Sequence, residues 1–409
     1  MRTIQWRPLA VSIAVALSAV HSTGAFAEKK YDPGASDTEI KIGNITPYSG
    51  AVSSFAVIGK TEAAYFDKIN AEGGINGRQV KFISYDDAYS PPKTVEQARK
   101  LVESDEVLLI FNAQGTAQNT AIQKYLNAKK VPQLFVSSGA TKWNNPKEFP
   151  WTMGFIPSYQ SEARIYAQYI LKHKPDAKIA ILYQNDDYGK DYVKGLKDGL
   201  GEKAASMIVA AESYEVAQPT IDSQIVTLKS SGADAFLNIA TPKFAAQAIR
   251  KAGEIGWKPT QFLNSISASL ARVIKPAGTE NAQGIISAAY IKDPVDPQWR
   301  DHAAIKAWNE FLDKYYPEAN RTDQTVLTAY TTAQALEYVL RKCGDDLTRA
   351  NVMKQAANIK DLELGGLLPG IKVNTSQSDF APLSQMRLMH FKGEAWELFG
   401  ELLSGDVEH

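Results

Sequence analysis

Two pairs of adjacent carboxylates, Asp86-Asp87 and Asp186-Asp187, follow runs that read as strands. Paired acids can share general-acid and general-base work when their surroundings push their proton affinities apart. Such work needs a nucleophile or a metal nearby, and the flanking sequence supplies neither. The five histidines, His21, His173, His302, His390 and His409, are scattered, with no metal-ligand spacing among them. Phosphate-loop, zinc-protease and nucleophile-elbow patterns are absent. The acids therefore read as loop-end carboxylates that cap helices or pair with lysines. No enzyme activity, catalytic residue, metal or cofactor is expected.

Small polar loops close other strands. Asn112-Ala113-Gln114-Gly115-Thr116 follows one, and Ser137-Ser138-Gly139-Ala140-Thr141 follows the next. Their NH and OH groups suit a carboxylate, because helix N-termini attract anions. Apart from Lys142 they bring no positive charge, so the cradle would be neutral. Ser, Gly and Thr are also common at ordinary strand–helix turns, so both readings stand. Tyr48, Phe55, Trp143, Trp151, Tyr183 and Tyr188 cluster near the same edges. They would serve as walls of a small-molecule cleft or as plain core.

The elements that must hold these loops alternate between strand and helix. Strands are predicted at 40–45, 80–85, 107–111 and 133–136, with helices at 55–72, 94–103 and 117–129. A second series places strands at 178–183, 207–211, 235–239 and 261–263, and helices at 159–172, 188–200, 221–230 and 243–253. The join near 149–159 carries Pro150 and Pro157. Such alternation argues for parallel sheets covered on both faces. The remainder reads as a strand at 284–291, helices at 297–315, 324–342 and 347–358, then β pieces at 371–373, 386–391 and 396–399.

The totals narrow the class. Lys+Arg and Asp+Glu are both 45, so the net charge is zero and a nucleic-acid partner is not expected. Arg2 and Arg7, the apolar run 9–20 and Ala25-Phe26-Ala27 form a secretory leader, cleaved after Ala27 so that the mature chain starts at Glu28. About 380 residues then remain, which suits two domains. No later run approaches the ~20 apolar residues of a membrane span, so direct membrane insertion is not expected. Cys343 is the only cysteine, so no disulfide forms within the chain.

Four stretches carry a resemblance: EIKIGNITPYSG (39–50), INAEGGINGRQVKFISYDD ending at Asp87, VPQLFVSSG (131–139) and ILYQNDDYG (181–189). Together they resemble the leucine/isoleucine/valine-binding protein family, periplasmic solute-binding proteins of ABC importers. The resemblance implies an α/β, type I periplasmic-binding-protein fold. Two flavodoxin-like parallel-sheet domains would be joined by three crossings, with a ligand cleft between them. It implies an N-terminal lobe of 28–155 plus 291–372 and a C-terminal lobe of 156–290 plus 373–409. It implies a monomer that captures a hydrophobic, branched-chain type amino acid or a related small apolar carboxylate and delivers it to an inner-membrane permease. A soluble sensing protein that signals to a membrane receptor is the alternative on the same fold.

The family's carboxylate-binding positions fall on Gln114, Gly115 and Thr116, and on Ser138, Gly139 and Thr141. Its aromatic wall falls on Phe55, with Tyr48 nearby, and on Tyr188. Thr241 stands where the family often has an aromatic. Amino-acid binders place an acid after the strand at 261–263. This chain reads Asn264-Ser265-Ile266-Ser267-Ala268-Ser269 there, leaving Ser265 at the site. Either Asp86 or Asp187 substitutes, or the ligand has no ammonium. A disulfide of some members is impossible, because the positions near Ala88 and Asn112 are not cysteines.

Overall fold

A computed structural model describes residues 1–5 and 29–405. The leader's apolar run and its cleavage site lie outside those residues. The strand β1 (Lys30–Tyr31) precedes a first parallel sheet made of β2 (Glu39–Thr46), β3 (Gln79–Asp86), β4 (Leu109–Phe111), β5 (Gln133–Val136) and β6 (Thr152–Gly154). Their spatial order is β3-β2-β4-β5-β6. The second sheet takes β7 (Ile179–Gln184), β8 (Ile208–Tyr214), β9 (Ala235–Ile239), β10 (Thr260–Leu263) and β11 (Ile286–Ala289). After β12 (Asp346–Leu347), which pairs with β1, it gains the antiparallel pair β13 (Gln385–Lys392) and β14 (Ala395–Ser404). Its order is β14-β13-β11-β10-β9-β7-β8.

Strands such as β4 and β9 are wholly buried, as helices on both faces require. Parallel pairing sends the strand C-termini to one edge, where the loops after Phe111 and Val136 meet. The helices Ala303–Tyr315 and Gln324–Cys343 return to the first sheet's side. Phe311 and Tyr330 there enclose Tyr65 of the helix Ala56–Ala71, the Tyr65–Tyr330 rings standing edge to face at 5.2 Å. Each sheet with its helices forms a lobe. Between them, Ile291 bridges Leu367, and Lys292 Nζ donates to the Gly365 carbonyl at 2.7 Å.

The corner at 73–78 shows why glycine is required. Gly74 has φ +78°, and a Cβ there would lie 2.1 Å from the Arg78 carbonyl oxygen. That turn holds Arg78 in place to pair with Asp345 at 2.6 Å and to receive Tyr31 and Ser36 as partners. The run fixes where β1 and β12 dock; it does not reach the cleft.

Several predicted bounds shift. The helix predicted at 94–103 is Pro91–Arg99 followed by a wider turn at Lys100–Ser104. That at 297–315 breaks, since the His302 ring accepts from Ala304 N at 3.2 Å and starts a fresh helix. The strand predicted at 371–373 is only a bridge from Val373 to Leu362. β6 lies inside the join and is too short to show periodicity.

Candidate functional site

A cleft lies between the lobes, enclosing a cavity of about 70 Å³ within a wider space that is partly open to solvent. Phe55, Ile58, Gln114 and Ser137 line it from the first lobe; Tyr159, Ser265, Ile266, Arg272, Ala288 and Ala289 line it from the second. Gln324, Thr325 and Thr328 of the long returning helix close one end.

Each wall residue is held from behind. Phe55 ends a short 3-10 turn that leads into the helix Ala56–Ala71. Gln114 N donates to the Ile45 carbonyl at 3.0 Å, and Ser137 Oγ donates to Gln114 Oε1 at 2.6 Å. A hydroxyl on Oε1 turns the amide's NH2 group away from Ser137. Ser265 donates from both N and Oγ to the Glu162 carboxylate, at 2.7 and 2.6 Å. Tyr166 and Tyr192 hydroxyls donate to that carboxylate as well, at 2.7 and 2.8 Å. Burial pushes the Glu162 carboxyl above its usual range, and these donors oppose the shift.

Arg272 is the one charged residue of this wall among the described residues, and the sequence did not point to it, nor to Ile58, Tyr159, Ala288, Gln324 or Thr328. Ser269 Oγ accepts from Arg272 N at 3.2 Å, which starts the turn that presents the side chain. Arg272 Nε pairs with Asp323 Oδ2 at 3.0 Å, and Nη2 donates to Thr325 Oγ1. Its guanidinium lies 4.8 Å from the centre of the Phe55 ring. Nη1 is buried and has no hydrogen-bond partner. Arg272 stands just past the 264–269 loop, on a turn without helical periodicity, so only a search for charge beyond that loop would have found it.

Of the residues expected at the site, Phe55, Gln114 and Ser265 line this cleft. The others stand apart from it. Thr116 Oγ1 and Ser138 Oγ bond each other at 2.7 Å, and Ser138 Oγ also takes Trp143 Nε1 at 3.0 Å. A Cβ on Gly139 would lie 2.5 Å from the Pro157 carbonyl oxygen, so this glycine admits the chain passing between lobes. Thr141 donates from N and Oγ1 to Asp191 of the other lobe, at 2.8 and 3.0 Å. A Cβ on Gly115 would lie 2.7 Å from the Tyr89 ring, and Tyr89 in turn reaches Gln184 of the other lobe. Tyr188 stands edge-on to Tyr159 with ring centres 5.2 Å apart, its hydroxyl buried without a partner. Thr241 N donates to the Tyr214 hydroxyl at 2.9 Å. Tyr48 bonds Ser84 Oγ at 2.6 Å on the first lobe.

The aspartate pairs are caps and ion-pair partners. Asp86 accepts from Tyr48 N at 2.9 Å and Ser49 N at 3.2 Å; Asp87 takes Thr94 Oγ1 at 2.7 Å. Asp186 caps the helix Asp187–Leu200, and Asp187 pairs with Lys142 at 2.7 Å. None of them lines the cleft. Asp86 and Asp187 are thus already engaged elsewhere.

Two covered, mainly parallel sheets, linked by passages that run beside a cleft at their strand ends, define a type I periplasmic binding protein, a two-lobed receptor for small molecules. The periplasmic binding protein family model matches residues 39–395, and the chain belongs to that family. It is a family of binding proteins, not of enzymes. The chain is 25% identical over 367 residues to a Leu/Ile/Val-binding protein homolog 7 of Brucella suis, covering 83% of this chain and 86% of that one. A branched chain amino acid ABC transporter from Thermus thermophilus with bound valine shares the fold, with TM-score 0.78 at 16% identity, covering 91% of this chain and 97% of that one. A fatty acid ABC transporter substrate-binding protein from Thermomonospora curvata does so with TM-score 0.76 at 21% identity, covering 92% and 95%. Among the described residues no helix is long and apolar enough to cross a membrane.

Proposed function

We propose that this protein is the substrate-binding component of an ABC importer. After loss of residues 1–27 it works as a monomer in the periplasm. It captures a hydrophobic amino acid or a related small apolar carboxylate and hands it to an inner-membrane permease. The lobes are 28–155 plus 291–372 and 156–290 plus 373–409. One observation carries this reading: the cleft joins apolar walls, Phe55, Ile58, Ile266 and Ala288, to a few polar groups fixed from behind.

Phe55, Gln114 and Ser265 touch the ligand. Gly115, Thr116, Ser138, Gly139, Thr141, Tyr188 and Thr241 shape the loops and lobe contacts around it, and Tyr48 steadies the first lobe. Binding draws on apolar burial at about 25 cal/mol per Å². Closure of the lobes is a hinge motion that ligand favours by binding the closed form better. The permease reads that closed form. A thermal-shift screen of hydrophobic amino acids and small carboxylates tests the proposal. A ligand at ~100 times its dissociation constant stabilises by ~2.7 kcal/mol. No shift with any member of either series would refute it.

A further inference from the structure

We propose that Arg272 Nη1 takes the anionic group of the ligand, and that the cleft selects small apolar carboxylates lacking an ammonium. This rests on the reading of the cleft as the ligand site.

The guanidinium is fixed on every side but one. Asp323 holds Nε, Thr325 holds Nη2, and Phe55 covers a face. Nη1 is left buried with nothing to donate to. Arginine cannot escape that cost by losing its proton. A carboxylate oxygen accepting from Nη1 removes the deficit with a charge-assisted bond, and it does so in one orientation only. Ile58, Ile266 and Ala288 then face the apolar body.

The cleft offers an ammonium no comparable partner. Asp323 already accepts from Arg272, from Ser269 Oγ at 3.1 Å and from Thr325 N at 3.1 Å. Glu162 already accepts from Ser265, Tyr166 and Tyr192. An ammonium buried there without a counter-ion is costly. The loop that family resemblance marks for the carboxylate is engaged too, since Thr141 N and Oγ1 both donate to Asp191. Tyr188 Oη is likewise unpartnered, but it is a neutral phenol behind Tyr159 and its deficit is smaller.

Calorimetric titration tests this on the whole mature chain. The probes are leucine against 4-methylpentanoate, phenylalanine against 3-phenylpropanoate, and the methyl esters of the two acids. The wild type should bind an acid at least about tenfold more tightly than its amino-acid counterpart or its ester. Arg272→Met should lose about 30-fold or more toward the acid. Arg272→Lys keeps a cation for Asp323, so it guards against misfolding, and should still lose about tenfold. Amino acids binding as tightly as their acids, or both variants keeping wild-type affinity, would overturn the inference while leaving the binding-protein reading intact. Failure of the wild type to bind either series would overturn both.

Discussion

Two contacts run from one lobe to the other, one at the Arg272 end of the cleft and one at Thr141, apart from the cleft, and they differ in what is left over. At Thr141, a backbone NH and a hydroxyl donate to Asp191, and Gln160 Nε2 completes that carboxylate at 2.5 Å. Each of these three donors has its acceptor within the protein. At the Arg272 end, an ion pair and a ring contact close the lobes, yet one guanidinium NH has no acceptor. A satisfied contact stabilises closure by itself. An unsatisfied one stabilises closure fully only when a ligand supplies the missing acceptor. The Thr141 contact thus acts as a latch and the Arg272 contact as a reader of ligand.

The largest effect is expected behind the cleft wall, where Glu162 holds Ser265. Glu162→Ala leaves Tyr192 and both Ser265 donors without their acceptor, and should cost ~3 kcal/mol in urea unfolding. Glu162→Gln should cost clearly less, since burial already favours the neutral form and the amide oxygen still accepts. Equal losses for both variants would mean that the charge, rather than the acceptor, matters.

Next comes a pH effect beside the Arg272 end. Burial pushes the Asp293 carboxyl up to about 6, from 3.8. The folded chain then binds more protons than the unfolded chain between those values. The contribution is present below the unfolded value and lost as pH rises to the folded one. Stability should fall by ~2 kcal/mol across that window from this group. Asp293→Asn should flatten part of the slope; Glu62, Asp87, Glu162 and Asp186, also raised by burial, keep slope of the same sign. An unchanged slope would rule out Asp293 as a contributor.

Asp191→Ala addresses the comparison by its sign. With Asp191 as a latch, its loss should weaken ligand binding about threefold to fivefold, through a smaller closed population. If Thr141 instead held the ligand's carboxylate, removing its competitor would tighten binding. The smallest effect belongs to Lys142→Ala. The Lys142–Asp187 pair is partly exposed, at 32% and 53%, and should contribute less than about 0.5 kcal/mol. A loss above ~1 kcal/mol would show that this pair belongs to the latch.

The strand–helix order was legible because covered parallel strands are continuously apolar and their helices are amphipathic. The five-residue run 107–111 announces β4, and Gly73-Gly74 announces the end of the helix Ala56–Ala71. β6 was not legible, because three residues at a sheet edge carry no period. At the site, the loops at strand ends brought Gln114 into view, and family resemblance brought Phe55 and Ser265. That Thr141 meets Asp191, or that Arg272 meets Asp323, depends on how two lobes close on each other. Residues 50 or more positions apart in sequence, on separate lobes, leave no local pattern to read.

The most direct test is a crystal structure of the protein with 4-methylpentanoate bound. A carboxylate oxygen should lie about 3 Å from Arg272 Nη1. The hydrocarbon chain should lie against Ile58, Ile266 and Ala288, with Thr141 still on Asp191. A carboxylate seated on Thr141, with Asp191 displaced and Nη1 still without an acceptor, would contradict it.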